Sequence, residues 1–299
     1  MLLLLNLLIL FSKACQVFTE HNSSVNLRIN LGEPVEVAFT CFEIPSNSQL
    51  VLAINSMLYF SKTTIHLHII GDDLTTKTVR DLLRRKHRVS ATFYSLPRRF
   101  KSRFISWIPN SHYSKHYGLI KLFLSEILPE NLTKIVVLDT DVVFNADIND
   151  LWRLFSMFDN DQVLGLGENL SAYYQNRKMQ VVGTKGVNTG VVLMHLQRMR
   201  SLGWRQMWKN ATKSMIKQRM AISMADQDIL NYMLVSCPQI LFWIPCEWNM
   251  QWPIEVKKHY CAPVRQWMGN LKIAHFNNDR KFDQPMPLFM RHLVMRFEL

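Results

Sequence analysis

From about residue 35 onward, apolar positions along this chain alternate between two rhythms. Short runs read as strands: "VEVAFTC" (35–41), "IHLHII" (65–70), "SATFYSL" (90–96), "IVVL" (135–138), "NTGVVLMHL" (188–196) and "LKIAHFN" (271–277). Between them, helical spacing marks "SNSQLVLAINSMLYF" (46–60, capped by Ser46 or Asn47) and "TTKTVRDLLRRKH" (75–87). It also marks "YGLIKLFLSEIL" (117–128, halted by Pro129) and "ADQDILNYMLV" (225–235). Strands alternating with helices predict an α/β domain around a largely parallel sheet. No repeat or low-complexity linker divides residues 35–299, so one domain is expected there.

The start of the chain departs from this pattern. "MLLLLNLLILFSKAC" (1–15) is apolar from Leu2 to Phe11, too short to span a bilayer comfortably. It reads as the hydrophobic part of a signal peptide, with an uncleaved signal-anchor as the alternative. Residues 16–34 are polar and read as a short stem.

Composition narrows the class. In 299 residues, 48% are hydrophobic and 11% aromatic, enough for a sizeable core and unlike a disordered chain. The net charge of +12 favours an anionic partner: a nucleic acid, a membrane surface or an acidic substrate. Basic residues cluster in "LLRRKHR" (82–88) and "PRRFKSR" (97–103), which read as solvated faces. No nucleic-acid-binding signature accompanies them, so nucleic acid is disfavoured. Sequons at Asn22, Asn131, Asn169 and Asn210 are compatible with secretory passage. Of five cysteines, Cys246 and Cys261 flank a 14-residue loop and are the best disulfide candidates for an oxidising lumen. Cys15 lies beside the expected cleavage point, and Cys41 and Cys237 read as small buried apolar residues. The absence of a C-x-x-C pair argues against a zinc ribbon.

Candidate chemistry centres on carboxylates two residues apart. Asp139/Asp141 ends a strand-like run, where alternation aims both side chains at one place. Two carboxylates held together call for a positive ion between them. The other D-x-D pairs differ: Asp159/Asp161 sits in a polar turn, and Asp226/Asp228 at a helix start. His275, ending "LKIAH", offers a third ligand, though alone it reads as a core histidine. Carboxylate oxygens with one imidazole suit manganese better than calcium. Lys281, six residues on, could add positive charge. Asn188, Thr189 and Gly190 precede an apolar strand and permit close approach of a ligand to the backbone. In "ADQDILN", Asp226 satisfies the helix N-terminus and leaves Gln227 to face a cleft.

Together, "IVVLDTDVVF", "NTGVVLM", "DQDILN" and the late His275 with Lys281 resemble glycosyltransferase family 8. "SWIPNSHYSKHYGLIKL" (106–122), "DINDLW" (147–152), "VLGLGEN" (163–169), "ADQDI" (225–229) and "PCEWN" (245–249) are similar to the xylosyl-transferring domain of LARGE-type enzymes. The resemblance covers roughly residues 35–299 in unbroken order. It implies a GT-A type, Rossmann-like fold with a mixed, mostly parallel central sheet, and a retaining, manganese-dependent transfer from a UDP-sugar. On it, Asp139, Asp141 and His275 match the manganese ligands, Lys121 a donor contact and Lys281 a diphosphate contact. Asn188 and Gln227 match positions lining the sugar. Thr140, Thr189 and Gly190 fall in the same donor-binding stretches, and Ala38, Thr40 and Cys41 match the uracil pocket. Gln227, and after it Asp226, would support the sugar cation as catalytic residues. Phe42 and Glu43 stand where the family often has a small residue and Gly, and "HFNNDRKFD" lacks the Gly and Pro-Trp of the commoner late motif. LARGE-type enzymes share that second departure.

The resulting expectation is transfer of xylose from UDP-xylose to a glycan ending in glucuronic acid, in the Golgi lumen of the secretory pathway. A glucoside xylosyltransferase acting on protein O-glucose and an inactive sugar- or partner-binding module are the alternatives. Only the xylosyl-transferring half is represented, so one sugar added, rather than two in alternation, is expected.

Overall fold

A computed structural model describes residues 33–42, 44–96, 105–170, 186–252, 261–277 and 288–297. The expected signal, the stem up to residue 32, Asn22, Glu43, "PRRFKSR" and Lys281 lie outside the described residues. Strands β1 (Val35–Cys41), β2 (Ile65–Gly71), β3 (Val89–Ser95) and β4 (Ile135–Leu138) form the parallel part of a seven-stranded sheet ordered β3-β2-β1-β4-β7-β6-β8. Strand β7 (Val187–Met194) runs antiparallel between β4 and β6 (Leu164–Glu168), and β8 (Leu241–Trp243) flanks β6. A small second sheet orders β5 (Val142–Phe144), β10 (Ile273–His275) and β9 (Met250–Gln251) as β5-β10-β9.

Both faces of the main sheet are covered, which is why β4 reads as an unbroken apolar run and β7 is buried at every position, its Asn188 and Thr189 included. Ala38, Val137 and Val192 point into one core, and Val37, Phe39, Val136 and Leu138 into the other. Edge strand β3 alternates half-buried with exposed positions. Helices α1 (Ile44–Phe60) and α2 (Asp73–Leu83) cross over between β1, β2 and β3, and Asp72 caps α2 by accepting from Thr75 N at 2.8 Å.

Several expectations need correction. The 117–128 helix is a 3₁₀ helix, Gly118–Phe123, followed by a single α turn, α3 (Leu124–Ile127). Leu119 to Phe123 are all buried, so this segment has no solvent face, and Gly118 is pressed against Ser114 and Ala225. Asn188, Thr189 and Gly190 lie inside β7 rather than before it. Cys246 and Cys261 form a disulfide, as expected, but Cys237 is disulfide-bonded as well as buried, leaving Cys41 as the cysteine outside a disulfide among the described residues. Asn131 and Asn210 are exposed, whereas Asn169 is buried. No helix of the described residues is long and apolar enough to cross a membrane.

Candidate active site

A cavity of about 480 Å³ opens beyond the carboxyl ends of β1 and β4, where ligands of open α/β sheets bind. The turn Asp139-Thr140-Asp141 that links β4 to β5 forms its floor. Alternation along one strand is therefore not what unites the two carboxylates; the turn between two sheets does. Asp139 N donates to Gly190 O at 2.9 Å, fixing one end of the turn to β7. At the other end Phe276 N donates to Asp141 O at 2.8 Å, and antiparallel pairing sets His275 opposite Val142. Sequence separation of more than 130 residues is thereby closed by a three-residue strand.

The result is a compact donor set. His275 Nε2 lies 3.5 Å from Asp139 Oδ2 and 3.4 Å from Asp141 Oδ1, and one ligand atom from each residue falls within 4.8 Å of the others. His275 and Asp141 are buried, while the Asp139 side chain is 36% exposed to the cavity. Asn249 Oδ1 is 3.0 Å from His275 Nδ1, which orients the ring with Nε2 toward the carboxylates. Gly190 makes room for the ring: a Cβ there would lie 2.0 Å from His275 Cε1. The close approach that Gly190 permits is thus by the imidazole. Two carboxylates, an imidazole held from behind and a glycine cradle fit a divalent cation of the manganese type.

Without a cation the group compensates internally. Burial alone would make His275 less basic, but Asp141 and then Asp139 outweigh it and raise its pKa to about 9. Burial disfavours the Asp139 carboxylate, yet Lys121 and His275 hold its pKa well below the usual range. Lys121, buried, donates to Asp139 Oδ1 and Thr189 O, each at 2.6 Å. Burial opposes the Lys121 charge, and Asp139 and Asp226 together more than restore it.

Helix α4 (Asp226–Ser236) brings Asp226 and Gln227 to the same wall. Asn231, buried one turn on, clamps α4 to β7 by accepting from Val187 N at 2.8 Å and donating to Val187 O at 3.1 Å. Gln227 Oε1 accepts from Asn188 Nδ2 at 3.1 Å and Thr189 N at 3.2 Å. Asn188 Oδ1 in turn accepts from Asn249 Nδ2 at 2.8 Å, so a chain of amides joins Gln227 to His275. Asp228 accepts from Ser223 N at 2.7 Å and Met224 N at 2.9 Å, in the turn that leads into the helix, and no side-chain bond caps the helix itself. The cap position is Ala225, held at φ 49°, a left-handed value that costs a non-glycine residue of order 1 kcal/mol or more. Asp226 Oδ2 is buried without a hydrogen-bond partner, and burial raises its pKa to about 7, against Lys121 and with Asp139. It stands half-protonated near neutrality.

Of the other expected residues, Thr40 and Thr140 line the cavity, whereas Ala38 and Cys41 face the cores on either side of β1. Burial pushes the Cys41 thiol up to about 11, so it stays protonated. Asp159 and Asp161 lie in an exposed turn, as expected of a solvated pair. No role was expected of Asn249, Asn231, His112 or Tyr117. Tyr117 stacks on Phe42, ring centroids 4.3 Å apart and planes within 10°, and both rings line the cavity. His112 lines it as well, bonded to Ser114 Oγ at 2.6 Å, and burial makes it less basic despite Asp139 and Asp228. Asn249, His112 and Tyr117 sit in the "PCEWN" and "SWIPNSHYSKHYG" segments, which marked the resemblance without assigning these residues.

Comparison with known proteins supports the same grouping. The chain is 37% identical to mouse xylosyl- and glucuronyltransferase LARGE2 over 257 residues, 83% of this chain and 36% of that one. It is 35% identical to human LARGE1 over 275 residues, 89% of this chain and 36% of that one. The chain thus spans about a third of the length of these relatives. Among solved structures, mouse xyloside xylosyltransferase 1 superposes with a TM-score of 0.66 at 18% identity, covering 85% of this chain and 99% of that one. The galactosyltransferase LgtC, in complex with donor and acceptor sugar analogs, gives 0.66 at 18% identity over 88% of this chain and 96% of that one. These structures share the mixed, mostly parallel GT-A architecture. Residues 48–282 match the profile of "Glycosyl transferase family 8", a span that takes in Asp139, Asp141, Asn188, Gln227 and His275, and the chain belongs to that family.

Proposed function

We propose that this chain is a retaining glycosyltransferase that moves xylose from UDP-xylose to a glycan ending in glucuronic acid. The observation that carries the reading is the convergence of Asp139, Asp141 and His275 at the carboxyl ends of β1 and β4, in a chain 35–37% identical to xylosyl- and glucuronyltransferases. Those three residues would hold a manganese ion, which when bound would supply positive charge to the diphosphate leaving group. The chain's own residues do the rest. Lys121 holds Asp139 ionised and turned toward the site. Lys281, outside the described residues, is assigned to the diphosphate by family resemblance.

Gln227, anchored at the cavity wall by Asn188 and Thr189, is assigned to the face of the oxocarbenium-like sugar opposite the leaving group, which it supports once Oε1 turns from β7 toward the cation. An amide is a poor nucleophile, so the acceptor hydroxyl attacks from the front and gives its proton to the departing phosphate oxygen. Asp226, protonated in part near neutral pH, donates a hydrogen bond to a sugar hydroxyl. Phe42 and Tyr117 provide a flat aromatic wall for the base. The basic surface suits a carboxylated acceptor, and the Cys246–Cys261 disulfide suits the oxidising Golgi lumen proposed for it.

The test is hydrolysis of a panel of UDP-sugars by the purified protein, with and without manganese. Hydrolysis of UDP-xylose above the others, only with manganese, is expected. Preference for UDP-glucose would overturn the donor assignment, and hydrolysis of none would favour a binding module.

A further inference from the structure

A second constellation of metal-ligating side chains lies toward the amino ends of the strands, away from the cavity. Parallel pairing places Glu36 of β1 beside His66 of β2, and Ala38 beside His68, all on one face of the sheet. Residues 66 and 68 point the same way because they are two apart on a strand. Their rings stand 4.8 Å apart in a T-shaped arrangement, and Glu36 Oε2 lies 2.8 Å from His68 Nε2. One ligand atom from each of the three falls within 4.8 Å of the others. Among the described residues, the only other such sets are the active-site trio and the Cys246–Glu247–Cys261 set, whose cysteines are joined in a disulfide.

Hydroxyls from β3 surround the rings. Tyr94 OH is 2.8 Å from His68 Nδ1, and Ser90 Oγ and Thr92 Oγ1 are 2.7 and 2.9 Å from the two nitrogens of His66. Metal-binding histidines are commonly held as His68 is, by a polar group on the nitrogen that does not face the ion; His66 carries a hydroxyl on each nitrogen, and an ion would displace one of the two. His68 is buried and the Glu36 side chain only 21% exposed, so ring and carboxylate are already positioned, yet the cluster opens to solvent through the half-buried His66.

We propose that Glu36, His66 and His68 form a second metal site that takes zinc. Two imidazoles and one carboxylate make a His₂Glu set, which zinc favours, with a fourth position for water or a hydroxyl of β3. The active-site trio, with two carboxylates and one imidazole, is the harder, manganese-type set. The two sites would thus sort different ions. A zinc ion here crosslinks β1 and β2 and, through the hydroxyls, the edge strand β3.

The test is titration of the metal-stripped full chain with cobalt(II), followed by its visible absorption, and then displacement with zinc. One equivalent with the intense bands of a tetrahedral nitrogen–oxygen site is expected, bleached by zinc. The signal should persist in the Asp139→Asn/Asp141→Asn double variant and fall at least ~100-fold in affinity in His66→Gln/His68→Gln. Tyr94→Phe, which removes only a supporting hydroxyl, should weaken binding about 10–100-fold with the fold intact. Should the double histidine variant fail to fold, Tyr94→Phe and the zinc-dependent rise in melting temperature of the unmutated chain decide. No cobalt absorption, no response to zinc, or a signal untouched by the His66, His68 and Tyr94 changes would overturn the proposal.

Discussion

The imidazole of His275 occupies the space that a side chain on residue 190 would fill, with a Cβ built on Gly190 only 2.0 Å from Cε1. A ring buried on all sides cannot step aside by that amount without taking β10 with it. Gly190→Ala should therefore cost about 1–3 kcal/mol through overpacking and displace the ring from Asp139 and Asp141. The expected outcome is a lowered melting temperature with manganese-dependent UDP-sugar hydrolysis abolished. Retained activity would show that the ring has another home.

Asn249 holds His275 from behind, its Oδ1 3.0 Å from Nδ1, while its amide nitrogen reaches Asn188. Asn249→Ala should reduce manganese affinity about 10–100-fold, the usual cost of losing such support, and blur the placement of Gln227 through Asn188. Calorimetric titration with manganese and UDP checks the first effect, and kcat the second.

Phe42 lies flat on Tyr117 at the cavity wall. If the nucleotide base stacks there, Phe42→Ala should raise KM for the UDP-sugar by about 10-fold or more, matching the ~1–3 kcal/mol of base–aromatic stacking, with kcat little changed. A lower KM would show instead that the ring obstructs the base.

His275 gives the metal-free protein a pH signature. Its pKa is raised to about 9 by Asp141 and Asp139, against an unfolded value near 6.5. The folded state binds the extra proton between these values, so this stabilisation is complete below about pH 6.5 and fades as pH rises toward about 9. Melting temperatures of the chelated protein should fall across that window. Saturating manganese should flatten the fall, because the ion replaces the proton.

How much of this was visible in the residues depended on the kind of constraint. Strand β1 matched its reading from Val35 to Cys41 because Val35, Val37, Phe39 and Cys41 recur at period two and enter one core, a rhythm no helix shares. Asp139 and Asp141 were chosen correctly as a pair brought together, but the reason was mistaken, since a turn between sheets rather than strand alternation unites them. Asn249 went unassigned because an isolated buried asparagine has no local signature; its meaning is its distance to Asn188 and His275. The helix Trp204–Lys217 was legible and overlooked: Trp204, Met207, Trp208, Ala211 and Met215 recur at helical spacing and are buried. The 3₁₀ form of Gly118–Phe123 was not legible, because Leu119 to Phe123 are all buried and no polar face marks the period of the turn.

The most direct measurement is manganese binding, by titration in the presence of UDP, to the unmutated chain and to Asp141→Asn. That carboxylate is buried 3.4 Å from His275 Nε2, and the amide keeps its shape while removing its charge. One manganese ion should bind the unmutated chain, and binding together with UDP-sugar hydrolysis should be lost in the variant while its circular dichroism is unchanged. Equal manganese affinity in the two proteins would contradict this.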